Sequence, residues 1–144
     1  MQPQGRSMKK EAGFTLLELL MVVIIIGILA TMAMPAYFKT TERTRASEAL
    51  SILGTIRGAE LRYKAQDPNN KYTTSLDALD TSVPGSTGQP LSSIWTYSIS
   101  GTDAGANAIA TRKGSTTYTG TVEIDLDSGA TCGAAVYGFS STSC

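Results

Sequence analysis

The sequence predicts an α+β chain: one long amino-terminal helix, about residues 14–66, whose second half packs on an antiparallel sheet of three or four strands. Three observations predict it. From Phe14 to Met34 the side chains are apolar except Thr15, Glu18 and Thr31. Ala49, Ile52, Leu53, Ile56, Ala59 and Tyr63 then recur at three- and four-residue spacing, an apolar stripe on a helix. Beyond residue 93 short β-prone runs alternate in polarity between turn residues.

The apolar run comes first. At 1.5 Å per residue it makes a helix of roughly 30 Å, the thickness of a bilayer's hydrocarbon layer. Arg6, Lys9 and Lys10 precede it, and no small-residue cleavage site follows it. That order departs from a secretory signal peptide and fits a membrane anchor with its basic end in the cytoplasm. Residues beyond about 35 are then expected outside the cytoplasm. Glu18 is the anomaly, since a lone carboxylate in lipid costs a few kcal/mol, roughly, unless it finds a partner. Gly27 adds backbone freedom and permits close helix approach, and Pro35 predicts a kink or a local loss of helical bonding. Both are also common as tolerated irregularities of membrane helices.

Residues 36–66 continue the helix in amphipathic form. Glu42, Arg43, Arg45, Glu48, Arg57, Glu60, Arg62 and Lys64 read as its solvated face, with Arg43 and Arg45 as weak candidates for pairing between subunits. Asp67-Pro68-Asn69-Asn70 stops the helix, and residues 67–93 form a loop with a short helical turn at Ser75–Leu79. Strands are expected at Ile94–Ser100, about Ala108–Lys113 and Tyr118–Asp127, with Ala134–Phe139 as a fourth. In the third, Val122, Ile124 and Leu126 alternate with Thr121, Glu123, Asp125 and Asp127, as a half-buried strand should.

Composition narrows the function. The chain has 144 residues, no His, and 12 basic against 12 acidic side chains. Without residues 1–13 the balance turns mildly acidic, which argues against broad phosphate-backbone binding. No Ser/His/Asp set, metal-ligand cluster or phosphate-binding Gly loop is present, so neither an enzyme nor a cofactor is expected. Cys132 and Cys144 fit a disulfide in an oxidising compartment, with free thiols as the alternative. The scattered aromatic residues read as ordinary core and rim, with no support for an electron-transfer filament.

Gly13-Phe14-Thr15-Leu16-Leu17-Glu18, followed by an apolar run and Pro35, resembles the amino-terminal signature of type IV pilins and type II secretion pseudopilins. The resemblance covers about residues 8–66 and implies a pilin-like fold with five parts: a cleaved leader at 1–13, a transmembrane and polymerisation helix at 14–35, an amphipathic head helix at 36–66, a loop at 67–93, and a sheet at 94–144 ending in a disulfide loop. It implies cleavage between Gly13 and Phe14 by a prepilin peptidase that also methylates the new Phe14 amine. Family leaders are often about six residues, so either Met1 or Met8 is the start. Glu18 is then expected to neutralise the Phe14 amine of a neighbouring subunit, so that assembly relieves two charges unfavourable in lipid. Such head-to-tail contacts propagate as an open helical filament. By the same analogy the stretch between Gly27 and Pro35 is where the helix can extend in a filament.

The expected partners are further copies of the chain, the peptidase and methyltransferase, and inner-membrane assembly machinery. The expected location is the inner membrane, then a surface pilus or periplasmic pseudopilus. A type IV pilus subunit leads; a type II secretion pseudopilin and a minor DNA-uptake or adhesive pilin are the alternatives. Lys71, Arg112 and Lys113 are the few basic residues a head could offer to DNA. Many type IV pilins carry a carboxy-terminal disulfide loop, whereas major pseudopilins more often hold that region with calcium. Asp125 and Asp127 are the carboxylates available for calcium, although no EF-hand pattern surrounds them and alternate carboxylates usually just solvate a strand face.

Overall fold

A computed structural model describes residues 13–142 and 144. The leader positions 1–12, with the Met8 start and the cations Arg6, Lys9 and Lys10, lie outside the described residues. The chain divides into two compact units, Met1–Tyr37 and Phe38–Cys144. Helix α1, Leu16–Gln66, contributes to both.

In the first unit α1 starts because Thr15 stops the chain from fraying. Its Oγ1 accepts the Glu18 backbone N–H at 3.1 Å, satisfying one of the orphan donors of the first turn. The apolar side chains that follow are exposed all round, and none of the most apolar 18-residue window is buried. A helix apolar on every face belongs in lipid or among other helices. The expected interruption at Pro35 does not break the helix, which runs unbroken to Gln66. Proline's missing N–H still leaves the Thr31 carbonyl without its helical donor.

The second unit is a two-layer head. The stripe of α1 faces a sheet of β1 (Trp95–Ser100), β2 (Asn107–Arg112), β3 (Thr121–Asp125) and β4 (Thr131–Gly133), antiparallel throughout in the order β1-β2-β3-β4. Alternation sends Trp95, Tyr97 and Ile99 of β1, Ala108 and Ala110 of β2, and Val122 and Ile124 of β3 inward. They meet Ala46, Ala49, Leu53 and Ile56 of the helix. The alanines on both layers let helix and sheet approach closely, and Trp95 fills the space with its ring edge-on to Tyr137, centroids 5.5 Å apart. In the 67–93 loop the expected helical turn is a 3-10 turn at Leu76–Ala78.

Two strands differ from expectation, each for a backbone reason. β3 begins at Thr121 rather than Tyr118, because Gly120 sits at φ 131° and the Tyr118 N–H is taken by Ser115 Oγ at 2.8 Å. The fourth strand is Thr131–Gly133, not Ala134–Phe139. A Cβ at Gly133 would lie 2.8 Å from the Thr121 carbonyl and 2.9 Å from the Phe139 ring, so this close crossing needs glycine. The chain then turns through a 3-10 segment, Ala135–Tyr137, and Gly138 at φ 98° ends it.

The helix face also differs. Glu42 and Glu60, expected in solvent, are 3% and 0% exposed. Both fall on the 42–46–49–53–56–60 spacing of the buried face. Helical geometry overrides their polarity because each meets a partner there.

Candidate assembly segment and the head that carries it

Gly13, Phe14 and Thr15 lie ahead of the helix, and all three are exposed. The bond between Gly13 and Phe14 is therefore open to an enzyme, with no Cβ on its amino side. Phe14, 86% exposed, lies two residues ahead of the helix, and Glu18 lies in its first turn, four residues farther along the chain. No described cation pairs with Glu18; its backbone N–H is held by Thr15. Thr15-Leu16-Leu17-Glu18 has the Thr-x-x-Glu form of a capping box, a signal the sequence carried for Thr15 beyond the Glu18 argument. Gly27 has open space around its missing Cβ, leaving that surface free for a neighbouring helix. Thr31 turns its hydroxyl inward, donating to the Ile28 carbonyl at 2.7 Å, so it adds little polarity to the apolar surface.

In the head the sequence missed a charged node. Arg112 donates from Nε to Glu42 Oε2 at 3.1 Å and from Nη2 to Oε1 at 3.2 Å, and Arg45 also bonds Oε1. Arg112 Nη1 donates to the carbonyls of Ile94 and Lys113, its guanidinium sits 5.9 Å from the Trp95 ring centroid, and Trp95 Nε1 donates to the Arg45 carbonyl. Burial pushes the Glu42 carboxyl up, but the bonds from Arg112 and Arg45 outweigh it and hold it below the usual carboxylate value. Arg45 thus has an ion-pair partner within the chain, with its side chain 38% exposed. Arg43 remains exposed, its guanidinium passing close to Gly138.

The head cations proposed for DNA are engaged in the same way. Arg112 is buried in this node, Lys113 Nζ donates to the Ser92 carbonyl at 3.0 Å, and Lys71 lies 3.5 Å from Asp103. Each of the few basic residues of the head beyond the helix thus has a partner among the described residues. Asp125 and Asp127 are also occupied. Asp125 Oδ1 accepts the N–H and hydroxyl of Ser128, and Asp127 Oδ1 accepts Lys64 Nζ at 2.9 Å and the Tyr72 hydroxyl at 2.6 Å. The bonds from Tyr72 and Lys64 hold Asp127 below its ordinary value. Among the described residues no group of three acidic, His or Cys side chains is gathered to hold a metal.

Cys132 and Cys144 are joined, as expected, with Cα atoms 5.4 Å apart. The tail they secure lies along β4, where the Gly133 N–H donates to the Ser141 carbonyl at 2.8 Å. One edge of the sheet is thus covered by chain and bond together.

Residues 8–34 match the family pattern described as the prokaryotic N-terminal methylation motif. Over 82 residues the chain is 34% identical to the type II secretion system core protein G of Aeromonas hydrophila, covering 57% of this chain and 56% of the relative. It is 47% identical over 53 residues to the fimbrial protein EcpC of Eikenella corrodens, 37% of this chain and 35% of that one. Against the type IV major fimbrial protein FimA of Dichelobacter nodosus it is 43% identical over 68 residues, 47% and 41% of the two chains. The chain thus spans about a third to just over half the length of these relatives. No solved structure matches it. The methylation motif, relatives of both kinds, and one long helix beside a four-stranded antiparallel sheet make the chain similar to type IV pilins and type II secretion pseudopilins.

Proposed function

We propose that the chain is a structural subunit of a type IV pilus, cleaved after Gly13, N-methylated at Phe14 and assembled into a helical filament through its apolar helix. The observation that carries this reading is the wholly exposed apolar stretch of α1 with Glu18 four residues from Phe14. Cleavage converts the Phe14 amide into an amine with a reference pKa of roughly 8, a cation at neutral pH. Glu18 of a staggered neighbour neutralises it, and each charge loses its penalty in the apolar layer. A contact from one end of a segment to a point farther along another does not close on itself, so it grows a filament. Before assembly the same segment anchors the chain in the inner membrane with its amino terminus in the cytoplasm.

A pseudopilin of a type II secretion system is the second reading. The longer matches to core protein G favour it, whereas the secured carboxy-terminal tail favours the pilus. Both readings share the assembly step, and one variant tests that step. Glu18→Ala should insert into the membrane and be cleaved normally, yet enter surface or pseudopilus filaments at a small fraction of the wild-type level. Wild-type filament yield from Glu18→Ala would reject the pairing.

A further inference from the structure

The head carries opposite charge at its two ends. Trp95 Nε1 donates to the Arg45 carbonyl and Arg112 pairs with Glu42, so β1 begins and β2 ends beside the first turns of the head's helix. At this base Lys39, Arg43, Arg45, Arg112 and Lys113 outnumber Glu42 and Glu48. Lys39 and Arg43, one turn apart and exposed, meet no carboxylate among the described residues. At the far end the Tyr72 N–H bonds the Thr102 carbonyl at 2.9 Å, and Arg62, Lys64 and Lys71 are held by Asp80, Asp127 and Asp103. Asp67 and Asp77 are left there without a cation among the described residues. Asp67 Oδ2 is fixed by the N–H groups of Asn69 at 2.9 Å and Lys71 at 3.1 Å, while Oδ1 has no described partner. The last turn of α1 adds the negative end of its macrodipole. Tyr63, Gln66, Asp67, Pro68 and Ala78 line an open cleft of about 330 Å³ at this point.

We infer that the Lys39–Arg43 turn of one copy seats in this cleft, beside Asp67, of a second copy that points the same way. The inference rests on the filament reading above. On α1 the spacing of Arg43 and Tyr63 turns them roughly 160° apart around the helix axis, on opposite flanks of the buried face. A second copy displaced sideways and along the axis, with no reversal of direction, therefore brings the base of one head to the far end of another. From Arg43 to Asp67 that displacement is about 36 Å at 1.5 Å per residue. The Glu18 contact joins copies only about one helical turn apart in height, so the two contacts belong to different neighbours of one filament. Each joins unlike surfaces and propagates without closing. A single exposed ion pair stabilises little. Repeated at every subunit, complementary charge selects the register in which heads pack.

The test uses filaments of the full chain. With Arg43→Cys and Gln66→Cys in one chain, a short bismaleimide should link subunits into a ladder of dimers, trimers and higher species. Filaments mixed from the two single variants should stop at dimers, and either single variant alone should give no product. Cys132 and Cys144 are joined to each other and do not react. The charges should also be exchangeable. Arg43→Glu and Gln66→Lys should each lower filament yield severalfold, and the two together should restore it toward wild type. Both side chains are exposed, and the rescue itself excludes a folding defect. Filaments that carry both cysteine substitutions yet give no ladder, or a doubly charged variant no better than Arg43→Glu, would overturn the inference and leave the filament reading standing. A wild-type chain that forms no filament would overturn both.

Discussion

Two stretches of one helix reach opposite solutions to the same chemistry. Between Leu16 and Met34 the side chains are apolar, apart from Glu18 and Thr31, and exposed on every face, whereas between Glu42 and Glu60 one narrow face is buried and includes two carboxylates. The first stretch gains nothing within its own chain and must find lipid or other helices. The second is complete within the head. The three glutamates Glu18, Glu42 and Glu60 mark the contrast: Glu42 has two arginines, Glu60 has one backbone N–H, and Glu18 has no side-chain partner among the described residues. A helix can thus hold a finished half and an unfinished half, and the unfinished half is where assembly is expected.

The sharpest way to break this comparison is to cut the same kind of group from both stretches. Leu53 is fully buried, so Leu53→Ala should cost the head about 3 kcal/mol through lost transfer energy and a residual cavity. Ile25, half exposed in the apolar stretch, should leave the head unaffected as Ile25→Ala, within about 0.5 kcal/mol. Thermal melts of the full chain in detergent, followed through Trp95 fluorescence, should show one large shift and one negligible one. Equal shifts would mean that the two stretches are not energetically separate.

A next test addresses the paired carboxylate. Glu42→Gln keeps the shape but leaves Arg112, whose side chain is only 9% exposed, without its counter-charge. Breaking a buried pair from one side costs about 3 kcal/mol. The sign with pH follows from the lowered carboxyl. A depressed folded value contributes stability above the usual 4.5 and loses it as pH falls through the folded value. The gap between wild type and Glu42→Gln should therefore be full at pH 7 and shrink below about pH 4.5. A gap independent of pH would show that the effect is packing and not charge.

Much of this was legible in the sequence, and the misses have local causes. The apolar stretch, the stripe, the first two strands, the centre of the third and the Cys132–Cys144 bond follow from periodicity, length and redox context. The fourth strand was misplaced because Ala134, Val136, Tyr137 and Phe139 look β-prone, while the glycines at 133 and 138 that turn the chain show their effect only in three dimensions. The buried glutamates obey the helical spacing that located the stripe, but polarity alone put them in water. Arg112 could not be assigned, because its partner lies 70 residues away and the register that joins them is set by β1 and β2. The methylation motif at residues 8–34 was the most legible part, since its signature lies in six consecutive residues and the apolar run behind them.

The smallest effect is expected at Glu60, and it has the opposite sign. Its Oε2 accepts the Thr73 N–H at 3.1 Å, while Oε1 has no hydrogen-bond partner among the described residues. Burial raises this carboxyl above the usual 4.5, against the lowering contributed by the Thr73 bond. Arg57 and Lys64, one turn to either side, do not compensate it, because they are engaged with the Leu126 and Asp127 carbonyls and the Asp127 carboxylate. A folded value above the unfolded one contributes stability that is full below about pH 4.5 and is lost as pH rises through the folded value. Glu60→Gln keeps an acceptor for Thr73 and cannot ionise. Relative to Glu60→Gln, wild type should thus be most stable in acid and lose ground toward pH 7, the reverse of the Glu42 pair. A difference between wild type and Glu60→Gln that stays level from pH 4 to 7 would show that the buried carboxyl stays in one protonation state across that range.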